Sequence, residues 1–171
     1  MKEQQKKYEL TGEFVVHWSG KKLYRIRALV SFGVVVAGQL GGFVESEKNL
    51  DQSLSGNAWV SSNAWVSGNA RVYGDAWVSG DAEVYGDARV RSYAVISERK
   101  MIFGATNVGS ENGTLTVFNG KDGLIVTRGC FTGTVDEFLA KSAEVHDDKT
   151  KNEYKLLIEV AKSRILGVKD E

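Results

Sequence analysis

From Asn57 to Ser97 the chain repeats the six-residue unit Asn/Asp-Ala-x-Val-x-Gly almost without interruption. The valine slot holds Val60, Val66, Val72, Val78, Val84 and Val90 and passes to Ile96. Two residues earlier stand Ala58, Ala64, Ala70, Ala76, Ala82, Ala88 and Ala94. Residues two apart on a strand point to the same side, so each hexad predicts a short strand with its alanine and valine inward. A helical period of 3.6 would smear a six-residue repeat around all faces. The Gly-Asn or Gly-Asp pair between hexads supplies the turn. Three such sides close one triangular coil of eighteen residues, and a short fixed period signals a stack of coils. Residues 57–92 fill two coils and 93–97 begin a third. Upstream, Leu54 keeps the valine register while Gln52 replaces the alanine.

Either side of the hexads the pattern changes. YELTGEFVVHW and KKLYRIRALV predict two strands around the turn Ser19-Gly20-Lys21. SFGVVVAGQLGGFVES, with Gly33, Gly38, Gly41 and Gly42 at corners or bulges, predicts an irregular first coil covering the start of the stack. After Ser97, TLTVF-NGKDG-LIVTRG predicts a hairpin. GTVDEFLAKSAEVH opens as a helix, with Thr134 as its cap and Glu137 completing a capping box. A second helix runs through NEYKLLIEVAKSRIL and stops near Gly167. Its stripe of Tyr154, Leu157, Ile158, Ala161 and Ile165 must pack on the hairpin or on another subunit. The chain therefore divides into an N-terminal hairpin with a capping coil (1–50), the repeats (51–98) and a C-terminal hairpin with helices (99–171).

The segment GNARVYGDAWVSGDAEVYGDARV resembles the hexapeptide-repeat left-handed β-helix family. The resemblance implies a mainly β fold: a short left-handed parallel β-helix, shaped as a triangular prism, with the N-terminal hairpin as its cap. The handedness rests on the resemblance alone. Many members of that family transfer acyl groups and generally place a histidine base at the coil edge, near a protruding loop. The two histidines here, His17 and His146, both lie outside the repeats, and no loop interrupts the hexads. The related prism-shaped carbonic anhydrases need three histidines around a metal, which this chain does not contain. A Cys130–His146 or Cys130–His17 pair would be the nucleophilic arrangement, but a single cysteine in a strand turn is ordinarily structural. GKDG lacks the spacing of a phosphate-binding loop. The expectation is a protein that is not an enzyme and takes no cofactor and no metal.

Composition narrows the setting. The chain has 171 residues, an ordinary 42% hydrophobic share and a formal net charge of zero. No global field draws it to a nucleic-acid polymer or a membrane. One cysteine, Cys130, excludes an internal disulfide and fits a reducing compartment. The start MKEQQKKYEL carries no apolar leader core, and ALVSFGVVVAG is too short to span a bilayer. A cytoplasmic location is expected.

The outward slots are where function would have to reside. Residues eighteen apart stack at roughly the 4.8 Å strand spacing, giving a Trp59/Trp77/Val95 column, a Trp65/Glu83 column and an Arg71/Arg89 column. A ladder of tryptophans facing water marks an interaction surface, so Trp59, Trp77, Val95 and Trp65 are candidate contacts of a homotrimer, closed by cyclic symmetry. The other reading of the tryptophan face is a platform for a planar ligand. Stacked guanidiniums repel unless acids or an anion lie between them. They pair either with Asp75, Asp81 or Asp87 or with a neighbouring chain, or with a phosphate or carboxylate held in bidentate fashion. Arg71, Tyr73, Arg89, Arg91, Trp77 and Arg128 are the candidate ligand-binding residues.

The flanks KKYELTGE, LYRIRAL and AGQLGGFVESEKNL, with the ending NGTLTVFNGKDGLIVTRGCFTGTVDEFLA, look similar to a family of small phage and prophage proteins labelled transferase-like on their repeats. That resemblance covers nearly the whole chain and implies an accessory protein acting in the cytoplasm of an infected bacterium. Three functions follow in order. The first is non-catalytic sequestration, by a homotrimer, of an anionic nucleotide-like immune signal, cyclic or otherwise phosphate-bearing. The second is a structural or protein-interaction module, and the third a hexapeptide acyltransferase.

Overall fold

The computed structural model describes residues 5–167, so the first residues of MKEQQKKYEL lie outside that range. Strands β1 (Tyr8–Val16) and β2 (Lys22–Ala28) form the expected antiparallel hairpin and lead to β3 (Leu40–Val44). The hexads then give seven strands of two residues each: β4 (Trp59–Val60), β5 (Trp65–Val66), β6 (Arg71–Val72), β7 (Trp77–Val78), β8 (Glu83–Val84), β9 (Arg89–Val90) and β10 (Val95–Ile96). Each turn requires a left-handed backbone at its first position. Gly68, Gly74, Gly80 and Gly86 take φ of 65°, 69°, 63° and 67°, and Ser62 and Ser92 are held at 56° and 62° in the same slot. Glycine enters that region without the Cβ clash that penalises other residues.

The stacking register is the expected one. Trp59 pairs with Trp77 and Trp77 with Val95, Trp65 with Glu83, and Arg71 with Arg89, all in parallel. The expected fold class is nevertheless corrected. No closed or solenoid-like parallel β-helix forms; the strands divide among several small sheets. The β4, β7 and β10 strands make one sheet of three, and β6 and β9 a sheet of two. The β5 and β8 strands are absorbed into a five-stranded mixed sheet, in the order β1-β2-β3-β5-β8. The physical reason lies in the repeat itself. Most of each hexad is spent on the turn, so every ladder holds two paired residues per layer. The long pairings come from the antiparallel flanks.

The C-terminal part is richer in strands than the hairpin signal alone suggests. Strands β11 (Ile102–Val108), β12 (Gly113–Gly120), β13 (Gly123–Arg128) and β14 (Phe131–Thr134) form an antiparallel sheet in sequence order. Helix α1 (Val135–Val145) begins at Thr134, whose Oγ1 accepts from Glu137 N at 3.1 Å while Glu137 Oε1 accepts from Thr134 N at 2.9 Å. Helix α2 (Asp148–Leu166) starts earlier than its apolar stripe, because Asp147 caps it by accepting from Thr150 N. It ends at Gly167, as expected. Tyr154, Ile158, Ala161 and Ile165 are buried against Leu115, Val117 and Val126 of the C-terminal sheet, so the stripe packs on its own chain. Residues of the N-terminal hairpin and the repeats share a second core that also takes in Phe118.

Short ladders leave unpaired backbone groups at their ends, and the flanks supply the partners. At the N-terminal end three carbonyls need donors. Ala64 O accepts from Phe43 N at 2.9 Å, Ala70 O from Asn49 Nδ2 at 2.8 Å, and Ala58 O from Lys7 Nζ at 2.8 Å. At the other end, Arg89 N donates to Thr116 Oγ1 at 3.3 Å and Arg89 O accepts from Thr127 Oγ1 at 2.8 Å. Val95 O accepts from Asn119 Nδ2 at 2.9 Å. The same cover buries Trp59 completely, with Tyr8 and Phe32 edge-on to its ring. Gly41 has no room for a side chain because a Cβ there would lie 2.7 Å from the Trp59 ring.

Two consequences are measurable. Gly74→Ala is expected to destabilise the fold by about 1 kcal/mol or more, since it forces a side chain into the left-handed region; it also places a Cβ 3.0 Å from Ser92 N. Ser62→Gly should raise stability by roughly 0.5 kcal/mol, the relief of backbone strain outweighing the added chain entropy. Urea midpoints report both. Burial pushes the Lys7 ammonium down to about 8, against the pull of Asp51 and Asp75. Above that pH the unfolded chain holds more protons than the folded one, so stability rises with pH. The window ends near pH 10, where the unfolded Tyr8 phenol ionises while burial keeps the folded one neutral. Between pH 8 and 9.5 the gain should be about 1 kcal/mol, and Lys7→Met should flatten it.

Candidate functional site

The arginine column is built by strand alternation. Val72 and Val90 point into the core, so Arg71 and Arg89 point outward, and Tyr73 and Arg91 follow two residues on. Arg71 and Arg89 are exposed and stacked in register. The Tyr73 ring is flanked by two guanidiniums, with Arg71 at 5.9 Å and Arg91 at 5.5 Å from its centroid. Among the described residues no carboxylate pairs with Arg71, Arg89 or Arg91. The alternative pairing of these arginines with Asp75, Asp81 or Asp87 is therefore not made within the chain.

Arg91 does a different job from Arg89. One of its terminal nitrogens donates to the Tyr73 hydroxyl. The other donates to Phe131 O at 2.6 Å and Gly129 O at 3.0 Å, which ties the turn between β13 and β14 to the repeats. Its Nε–H is buried with no acceptor among the described residues. Arg128 arrives from β13. Its Nε donates to the Tyr154 hydroxyl at 2.7 Å, and its Nη2 lies 3.5 Å from Glu111. Arg89 and Arg128 thus come from two different sheets and, with Arg91, line one open groove of about 480 Å³ together with Asp87 and Glu111. That volume falls in the range of small-molecule sites.

Five of the six candidate ligand residues belong to this neighbourhood: Arg71, Tyr73, Arg89, Arg91 and Arg128. Trp77 does not, because it stands on the ladder with Trp59 and Val95 and packs, half-buried, against the core. The candidate subunit contacts are also redistributed. Trp59 is buried within its own chain and has no surface to offer a second subunit, which corrects its assignment to a water-facing ladder. Trp65 is half-buried, 5.7 Å from His17, while Val95 remains 39% exposed. Tyr154 and Glu111 join the site without having been singled out for it. Tyr154 fits its helix stripe, and nothing in its spacing reveals that its hydroxyl reaches Arg128.

Cys130 is exposed. His146 Nδ1 lies 2.9 Å from Ser142 Oγ and His17 Nδ1 lies 2.7 Å from Ser19 Oγ, so each histidine is engaged locally. Among the described residues no group of three or more His, Cys, Asp or Glu side chains gathers as a metal site, and no helix is long and apolar enough to cross a membrane. No protein-family model and no curated protein matches the chain.

The two arginines should separate by stability. Arg91→Ala removes three charge-assisted bonds and is expected to cost about 2 kcal/mol, whereas Arg89→Ala should stay within roughly 0.5 kcal/mol of wild type. Chemical denaturation of both variants checks the difference.

Proposed function

We propose that this protein is a non-catalytic binder of a small, phosphate-bearing, nucleotide-like ligand, acting as a phage-type sponge for an immune signal in the bacterial cytoplasm. The observation that carries the reading is Arg89. Its guanidinium is exposed, without an ion pair among the described residues, and set in a groove beside two more arginines. Arginine binds phosphate in a planar, bidentate geometry, which suits such a groove. Arg91 and Arg128 are already fixed by Tyr73, Tyr154 and backbone carbonyls, so ordering them costs little when a ligand binds. Self-association as a homotrimer remains part of the proposal, with Trp77 and Val95 as the contacts on the Trp ladder.

A structural or interaction module is the second reading, and a specific feature favours it. Trp18 is 82% exposed at the end of the N-terminal hairpin, beside Val16 at 60% and Phe14 at 44%. An exposed apolar cluster of this kind suits a protein partner.

Titration calorimetry with adenosine 5′-monophosphate and inorganic pyrophosphate tests the first reading. Wild type is expected to bind, and Arg89→Ala should lose about 10- to 100-fold in affinity with its native mass unchanged. The ligand should be recovered chemically intact after denaturation. Absence of binding to any phosphate-bearing probe, or turnover of the probe, would overturn it.

A further inference from the structure

The arginine groove does not end at Arg89. Asp87 and Thr114 also line an adjoining, smaller pocket of about 140 Å³, a neck bounded by Tyr85 and Ala88 on the repeat side and by Ile102 and Gly104 on β11. Glu83, Tyr85, Ile102 and Gly104 in turn line a second chamber of about 450 Å³, where Arg99 and Arg164 stand. One wall of this channel is β8, the last strand of its sheet, which has no strand beyond it. Three walls' worth of chemistry therefore follow one another along a single path: cations, an aromatic and aliphatic neck with a carboxylate at each mouth, then cations again.

We infer that the groove is a two-ended site for an elongated ligand, with an anionic group at each end and a planar portion between them. The inference rests on the phosphate reading of the Arg89 end and extends it to the ligand's overall form. The ends select anions: Arg89, Arg91 and Arg128 on one side, Arg99 and Arg164 on the other. Arg99 is partly offset by Glu83 at 3.5 Å, which leaves that end net positive through Arg164 near the end of α2. Carboxylates in the neck repel a charge placed there. Glu83 and Asp87 accept hydrogen bonds from hydroxyl or amino groups instead. Tyr85 is 62% exposed, so its ring is free to stack on a flat group. Gly104 lines the neck, and a Cβ there would meet only Leu115 O, at 4.0 Å, so a larger side chain has room to project from β11. A nucleoside 3′,5′-bisphosphate has this order of groups, with a phosphate on either side of one nucleoside and no charge between them.

Titration calorimetry compares adenosine 3′,5′-bisphosphate with adenosine 5′-monophosphate. The two-ended probe should bind at least tenfold more tightly to wild type. Gly104→Val narrows the neck in a strand position that valine favours. That variant, and separately Arg99→Ala combined with Arg164→Ala, should erase the tenfold advantage while leaving monophosphate affinity at its wild-type value. Equal affinity for the two probes in wild type, or an advantage that survives both variants, would overturn the two-ended site and leave the single-anion reading standing. Failure of both probes to bind would remove the phosphate reading with it.

Discussion

Everything in this molecule depends on finding partners for the backbone at the ends of very short ladders. A two-residue strand presents as much unpaired edge as paired interior, and a buried unpaired amide or carbonyl costs about as much as a lost hydrogen bond. The chain answers with donors at one end and side-chain hydroxyl and amide groups at the other. Lys7, Asn49 and the backbone of Phe43 take the carbonyls of Ala58, Ala70 and Ala64. Thr116, Thr127 and Asn119 serve the far end. The flanking segments are thus what allows two or three layers of hexads to be ordered, and the large buried rings of Tyr8 and Trp59 come with them.

The same arrangement creates the groove. At the far end the Arg89 ladder is taken up by Thr116 and Thr127 and the Val95 ladder by Asn119, while β8 is the outermost strand of its sheet. The C-terminal sheet meets the repeats on the covered ladders and stands off from the uncovered one. The resulting channel gathers side chains from both parts of the chain. Arg91 matters twice, since it pins the turn at Gly129–Phe131 and lines the groove that the turn helps to form. The groove and the local fold share that residue, whereas the Arg89 side chain makes no hydrogen bond or ion pair among the described residues.

How much of this was legible can be traced residue by residue. The inward alanines and valines, the turns at the Gly-Asn and Gly-Asp pairs, the Thr134–Glu137 capping box and the stop at Gly167 all follow from local rules, and they hold. The fold class inferred from the hexads does not. A period fixes which residues stack, but it does not fix how many layers form or what the flanks add to each sheet. Strands β11 and β14 were missed because their pairing depends on partners in β12 and β13, and their own sequences alternate weakly. Trp59 was misplaced for a similar reason: strand parity turns it outward, and the cover over it comes from Tyr8 and Phe32, at least 27 residues away in sequence.

By itself, then, the sequence determined the inward and outward sides of every hexad and the eighteen-residue register, because steric alternation and turn geometry act over a few residues. It also determined that Arg71 and Arg89 share a column. Only the tertiary structure decided that Arg128 joins Arg89 and Arg91, that Trp77 does not, and that Glu83 of the edge strand β8 shares a second pocket with Arg99 and Arg164. Those outcomes depend on where the C-terminal sheet docks. Docking is set by the summed demands of orphaned backbone groups and buried side chains from distant segments, which no local pattern encodes.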